Sequence, residues 1–489
     1  MINSSIQQQL SYPGLLTDQA YINGQWLSSE DHATIEVVNP STQEVVATVP
    51  DLTRAQVVSS VELAHQAWKD WKKTTAAERA TMLMNWYQLM MENQHDLGLI
   101  MTLEQGKPLA EAIGEIAYAA GFIKWFAEEA RRIHGETMQN PSPDRRLMTI
   151  KQPVGVCAAI TPWNFPAAMI TRKCAPAIAA GCPVIVKPAD LTPLSALALA
   201  VLAEKAGIPA GIFNVITGHA ARIGEVLTES PEVRKITFTG STRVGSLLMA
   251  QSAPTIKRLS LELGGNAPFI VFEDADIQQA VEGLMTSKFR NAGQTCVCAN
   301  RILVHDAIYD EFARALTQAV IQLKTGDGLE EGVTIGPLIN TSAVEKVKRH
   351  IDDAISKGAK IICGEIPDPQ SLFVTPTILT GVTTEMQVAH EETFGPLAPL
   401  FRFSTDEEAI DIANSTPYGL GAYYYTQNLQ RAWHVGEALE FGMVGLNSGV
   451  ISMDAAPFGG IKQSGLGREG SGLGIEEYLE VKAWHMGGL

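Results

Sequence analysis

The chain has 489 residues, 46% of them hydrophobic and 18% charged, and a formal net charge of −16. These values exclude a disordered protein, a single hydrophobic core, and non-specific binding to nucleic acid or anionic membrane. Two or three domains are expected, and an anionic substrate needs a local basic site that overcomes the overall field.

Met1 to Pro13 is polar and lacks the basic-then-apolar pattern of a secretory signal. The longest apolar stretch, around Cys174 to Val186, is interrupted by proline and glycine and is too short to span a bilayer. Six cysteines (Cys157, Cys174, Cys182, Cys296, Cys298 and Cys363) are too scattered for a disulfide framework. There is no CxxC pair and no His/Cys cluster with zinc spacing, so a cytoplasmic, reduced, metal-free protein is expected.

From about Thr53 to Ala130 the pattern is helical, and Gly135 to Pro143 is a polar break. From Leu147 short apolar runs alternate with helical segments. Val154 to Ile160, Pro183 to Lys187, Phe213 to Ile216 and Lys235 to Phe238 read as strands, and Leu194 to Lys205 as a helix. This alternation predicts an α/β fold with a mostly parallel sheet. A second alternating region starts near Leu261, with Phe269 to Phe272 as its first clear strand, and runs to about Asn447. Tyr478 to Trp484 reads as an edge strand without a sequence partner, which points to pairing with another subunit.

Candidate chemistry falls at strand ends, where open α/β sheets bind ligands. Lys187 and Asp190 can donate to and accept from sugar hydroxyls. Gly240, Ser241 and Gly245 open a helix whose free N–H groups suit a pyrophosphate, or serve only as a structural cap. Asn164, between Pro162 and Pro166, is a turn cap or a preorganised oxyanion donor. Glu262 stands in an apolar run closed by Gly264 and Gly265; burial would raise its pKa into the range of a general base, unless a neighbouring cation pairs with it. Cys296 is a nucleophile or a buried small hydrophobe. Arg290, six residues upstream, suggests that the carbonyl substrate carries a carboxylate.

Pro162-Trp163-Asn164, Lys187-Pro188-Ala189, Phe238-Thr239-Gly240-Ser241, Glu262-Leu263-Gly264-Gly265, Gly293-Gln294-Thr295-Cys296, Glu391-Glu392-Thr393-Phe394-Gly395-Pro396 and Pro457-Phe458-Gly459-Gly460 follow one another in order. Together they resemble the NAD(P)-dependent aldehyde dehydrogenase superfamily, from about Tyr21 to Leu489. Within it the chain is most similar to the succinate-semialdehyde branch, on Ile170-Thr171-Arg172-Lys173, Ser287-Lys288-Phe289-Arg290-Asn291, Cys296-Val297-Cys298 and Gly449-Val450-Ile451-Ser452.

The resemblance implies a Rossmann-type cofactor domain (residues 1–130 and 147–260), an α/β catalytic domain (261–447) and a small oligomerisation segment (131–146 and 470–489). It implies Cys296 as nucleophile, Asn164 as oxyanion donor and Glu262 as the base that activates water. Trp163, Lys187, Gly240, Ser241, Gly245, Leu263, Glu392 and Phe394 would bind the dinucleotide. Arg172, Arg290 and Ser452 would grip the distal carboxylate of a four-carbon semialdehyde. Asp190, placed against the ribose, predicts NAD over NADP, with NADP still possible. Cys298 is a redox partner of Cys296 or a packing residue. A homodimer or homotetramer is implied. Open alternatives are glutarate semialdehyde or another short ω-oxo acid as substrate, a phosphorylating or CoA-acylating enzyme, and a non-catalytic relative.

Overall fold

The computed structural model describes residues 2, 4–140 and 142–488; Met1, Asn3, Pro141 and Leu489, which the expectations above include, lie outside the described residues. Two large sheets organise it. The first has eight strands in the order Gln25–Leu27, Ala20–Ile22, Phe213–Val215, Val184–Lys187, Val156–Ile160, Val233–Thr239, Arg258–Glu262 and Gly465–Leu466. Its five central strands are parallel, and the edges are antiparallel. Strands covered on both faces must be apolar throughout, as Val156 to Ala159 and Val184 to Val186 are. Helices Ala168–Ala180 and Leu194–Lys205 supply the cover, with apolar side chains buried along both.

The second sheet has seven strands in the order Lys360–Cys363, Thr377–Val382, Leu397–Phe403, Ala299–His305, Ala267–Val271, Gly421–Tyr425 and Met443–Leu446. All are parallel except the first. Each sheet has its own hydrophobic core. Four helices, Arg54–Trp71, Ala76–Glu92, Gln94–Gln105 and Leu109–Glu129, fill the predicted helical region. The first two begin with capping boxes, Thr53 with Gln56 and Thr75 with Glu78. No helix among the described residues is long and apolar enough to cross a membrane.

One expectation is corrected in part. The C-terminal strand, Leu479–Gly487, has a partner within the chain: it pairs antiparallel with Arg145–Pro153, from Leu479 opposite Pro153 to Gly487 opposite Arg145. It remains the edge strand of that sheet, unpaired on its outer side among the described residues. Its partner strand is rich in charged and polar residues and half exposed, so it carries no apolar run to mark it. The expected boundaries at 147 and 261 therefore fall inside strands, and Gly465–Leu466 returns to the first sheet beside Glu262.

The loops after Ile160 and Glu262 of the first sheet meet the segments before Ala299 and Leu397 of the second: Asn164 Nδ2 donates to the Gln294 carbonyl, and Gly265 N donates to Glu392 Oε1. That junction holds the site.

Candidate active site

The thiol loop follows helix Ile277–Phe289 and passes through three left-handed residues in a row, Asn291 (φ 52°), Ala292 (φ 54°) and Gly293 (φ 76°). Two of these are not glycine, so the neighbours must hold the shape. Gln105 Nε2 donates to Asn291 Oδ1 (3.0 Å), and Asn291 N donates to Glu111 Oε2 (2.8 Å). Asn291 Nδ2 donates to the Asn164 carbonyl (3.0 Å), and Asn164 Nδ2 donates to the Gln294 carbonyl (2.9 Å). Asn164 is thus tied to the nucleophile loop at both ends. One hydrogen of its amide serves that tie, and the other remains for a ligand. Beneath it the buried Lys107 Nζ donates to the Asn164 carbonyl (2.8 Å) and to Glu115 Oε2 (2.5 Å), and lies 4.2 Å over the Phe165 ring.

Burial pushes the Cys296 thiol up to about 12, Glu392 and Glu262 push the same way, and Arg172 and Arg290 pull it down. A base is therefore needed to form the thiolate. Glu262 ends strand Arg258–Glu262, opposite Thr239 on one side and Gly465 on the other. Burial holds its carboxyl well above the usual range; Glu469 adds to this, and Arg172, Lys173 and Arg468 oppose it. Neither Glu262 oxygen has a hydrogen-bond partner among the described residues, so both can take a proton.

Arg172 is not a free anchor. Its guanidinium is sealed from solvent, 3.8 Å over the Phe458 ring and 2.8 Å from Glu469 Oε2. The contact lacks hydrogen-bond alignment, and Arg172 Nε and Nη2 keep unmet donors. Arg290, by contrast, is exposed, lies 5.2 Å over the Phe165 ring, and has no hydrogen bond or ion pair among the described residues. Ser452 Oγ bonds to the Tyr118 hydroxyl.

The residues at the first sheet's strand ends offer donors and acceptors that suit a dinucleotide. Lys187 Nζ pairs with Asp190 just beyond the end of strand Val184–Lys187. Ser241 caps helix Thr242–Ser252, and a Cβ on Gly245 would meet Leu263 Cδ2 at 2.5 Å, so a larger residue there would have to push that side chain aside. Glu392 Oε1 accepts from Gly265 N (3.2 Å), and burial pushes its carboxyl to about 7. Phe394, in a left-handed conformation, meets Trp163 edge to face at 5.7 Å.

Cys298 turns to Lys288, whose Nζ lies 3.3 Å from Sγ. Sequence reasoning missed Tyr118, Lys107, Glu115 and Glu469. Tyr118 and Lys107 give no local signal, and Glu469 gives only an acidic residue within a glycine-rich run.

Residues 26–484 match the model of the aldehyde dehydrogenase family. The chain is 58% identical to the NADP(+) succinate-semialdehyde dehydrogenase of Escherichia coli (strain K12), over 97% of this chain and 98% of that one. It is 58% identical to a glutarate-semialdehyde dehydrogenase of Pseudomonas putida (strain KT2440), over 97% and 98%. It is 57% identical to a 3-sulfolactaldehyde dehydrogenase of Pseudomonas putida, over 98% and 99%. Among solved structures, an aldehyde dehydrogenase from Brucella melitensis biovar abortus 2308 superposes with a TM-score of 0.96 at 60% identity, over 98% of this chain and 99% of that one.

Proposed function

The chain belongs to the aldehyde dehydrogenase family, and from that premise we propose that it oxidises succinate semialdehyde to succinate with NAD(P). The observation that carries the substrate is a pair of arginines near the nucleophile: Arg290 is exposed with no ion pair among the described residues, and Arg172 keeps unmet donors at Nε and Nη2 beside its Glu469 contact. Two guanidiniums beside one nucleophile suit an aldehyde with a distal anion, and fixing that anion places the carbonyl at sulfur. The names of the three relatives share this chemistry, since each pairs an aldehyde with a second, anionic group. Glutarate semialdehyde is the second reading, because one methylene changes discrimination by only about 1–3 kcal/mol.

The residues act in sequence. Glu262 accepts the Cys296 proton, and the thiolate adds to the aldehyde carbon. The oxyanion is held by the remaining Asn164 amide hydrogen and the Cys296 N–H. NAD(P) bound at the strand ends supplies the hydride acceptor. Cys296 then carries a thioester; Glu262, once it has passed the first proton to solvent, deprotonates the water that attacks it, and the acid leaves as the Cys296 sulfur is released. Water as final acceptor makes the enzyme non-acylating.

Lys187 and Asp190 face the adenosine ribose in this reading, Gly240, Ser241 and Gly245 the pyrophosphate, and Glu392 the second ribose. The E. coli relative's name specifies NADP(+), so the relatives do not support a preference for NAD. Asp190 remains the residue on which the choice turns. The reading includes a homo-oligomer, supported by the exposed Val481 and Trp484 on the outermost strand of the small sheet.

Initial rates of coenzyme reduction test the proposal, with succinate semialdehyde, glutarate semialdehyde and butanal, each with NAD and NADP. The four-carbon semialdehyde should give the highest kcat/KM. Equal efficiency on butanal would mean that the arginines read no anion.

A further inference from the structure

Loop 391–396 carries Glu392 and Phe394, yet it cannot hold its own shape. Phe394 sits at φ 57°, a conformation that a bulky side chain keeps only when its surroundings impose it. The surroundings include a histidine outside the catalytic site. His350 lies on helix Thr341–Ser356 with its side chain buried. Its Nδ1 is 3.1 Å from Thr393 Oγ1, and its Nε2 is 3.2 Å from Glu391 Oε2. Those partners are the two residues flanking Glu392.

The chemistry fixes the proton. A carboxylate only accepts, so Nε2–H donates to Glu391, and neutral Nδ1 then accepts from the Thr393 hydroxyl. Burial lowers the His350 pKa against the opposing pull of Glu391, while Lys346 and Arg349 lower it further, so the neutral ring persists. Arg349 also reaches Glu391 Oε2 at 3.4 Å. On the far side of the loop, Thr393 N donates to Asn300 Oδ1 (3.3 Å), and Asn300 Nδ2 donates to Asn266 Oδ1 (3.1 Å). The loop is strapped from helix Thr341–Ser356 and from strand Ala299–His305.

We propose that His350 is a positioning residue for the coenzyme: by gripping Glu391 and Thr393 it aims Glu392 and Phe394 toward the dinucleotide. The proposal rests on the reading that Glu392 meets the coenzyme ribose. It implies that His350 governs coenzyme affinity and leaves aldehyde recognition, which lies across the junction at Arg172 and Arg290, unchanged.

The test compares His350→Ala, Thr393→Val and Glu392→Gln in the full chain, with KM measured separately for NAD(P) and for succinate semialdehyde. His350→Ala should raise the coenzyme KM about tenfold, because two buried hydrogen bonds are lost. The aldehyde KM should stay within about twofold, inside the scatter of unrelated substitutions. Thr393→Val, which removes one arm, should raise the coenzyme KM by a smaller factor, and should add nothing on top of His350→Ala. Should His350→Ala fail to fold, Thr393→Val carries the same comparison. A rise in coenzyme KM for Glu392→Gln alone, with both other variants unchanged, would overturn the role of His350 and leave the ribose reading standing. An unchanged coenzyme KM in Glu392→Gln would instead remove the reading beneath it. Coenzyme and aldehyde KM rising together in His350→Ala would mark a general loss of structure and overturn the proposal too.

Discussion

Arg172 and Glu469 form an ion pair sealed from solvent, 2.8 Å from Nη2 to Oε2, and Lys173 closes on the other carboxylate oxygen of the same residue. Glu262 stands within the field of all three. The candidate general base is therefore tuned by a residue that never needs to touch substrate. Glu469 raises the Glu262 pKa by its own charge and also muffles two cations that would lower it.

Glu469→Gln should lower the Glu262 pKa on both counts. The acidic limb of the kcat–pH profile, where the base becomes protonated, should move to lower pH. The same variant leaves two buried cations without their counter-ion, which should reduce stability by about 3–5 kcal/mol. A pH titration of kcat and a denaturant melt read the two effects separately. An unmoved acidic limb in a folded variant would mean that Glu262 does not set it.

Coenzyme binding should depend on pH through Glu392. Burial raises this carboxyl to about 7, so below that value it is largely protonated. The protonated form has lost part of its capacity to accept from the ribose hydroxyls. The coenzyme KM should therefore fall as pH rises through about 7, by severalfold per hydrogen bond gained. In Glu392→Gln the KM should be higher and flat across the same range. A wild-type KM that does not change between pH 6 and 8, a span of about one unit either side of the titration, would contradict this assignment.

The parts of this structure that were legible in the sequence share a cause. Helix Leu194–Lys205 and the parallel strands of the first sheet are buried on all sides, so their apolar runs end sharply at glycine and proline. Glu262, Lys187 and Asn164 were visible because they stand at those ends. Arg145–Pro153 was not visible, since Arg145, Arg146, Lys151 and Gln152 make it resemble a loop until Leu479–Gly487 is laid beside it. Tyr118, Glu469 and His350 gain their meaning only from partners far away in the chain, such as Ser452, Arg172 and Thr393. Arg172 was found for its chemistry, but its existing bond to Glu469 could not be read from residue spacing.

Coenzyme choice should turn on Asp190. Its carboxylate neutralises Lys187, and burial already lowers the Lys187 pKa against the opposing pull of Asp190. Replacing Asp190 with Ser removes a charge that repels the 2′-phosphate of NADP and frees the Lys187 ammonium to meet it. The ratio of kcat/KM for NADP to that for NAD should rise at least about tenfold, which is about 1.4 kcal/mol. The same ratio in variant and parent would show that selectivity resides elsewhere.

Oxidation should distinguish the two roles open to Cys298. Its sulfur faces the Lys288 ammonium at 3.3 Å and donates toward the Lys288 carbonyl at 3.5 Å, while burial raises its pKa against the pull of that lysine. Forming a disulfide with Cys296 would require it to leave Lys288 and close an eleven-atom ring through Val297, a strained product that thiols reduce easily. As a redox partner, Cys298 should make peroxide inactivation reversible: the parent regains activity with dithiothreitol, whereas Cys298→Ala oxidises past the sulfenic acid and regains little. Peptide mapping of the oxidised parent should then find Cys296 and Cys298 joined. Equal recovery in parent and variant would leave Cys298 with packing alone, beneath the loop that carries the nucleophile.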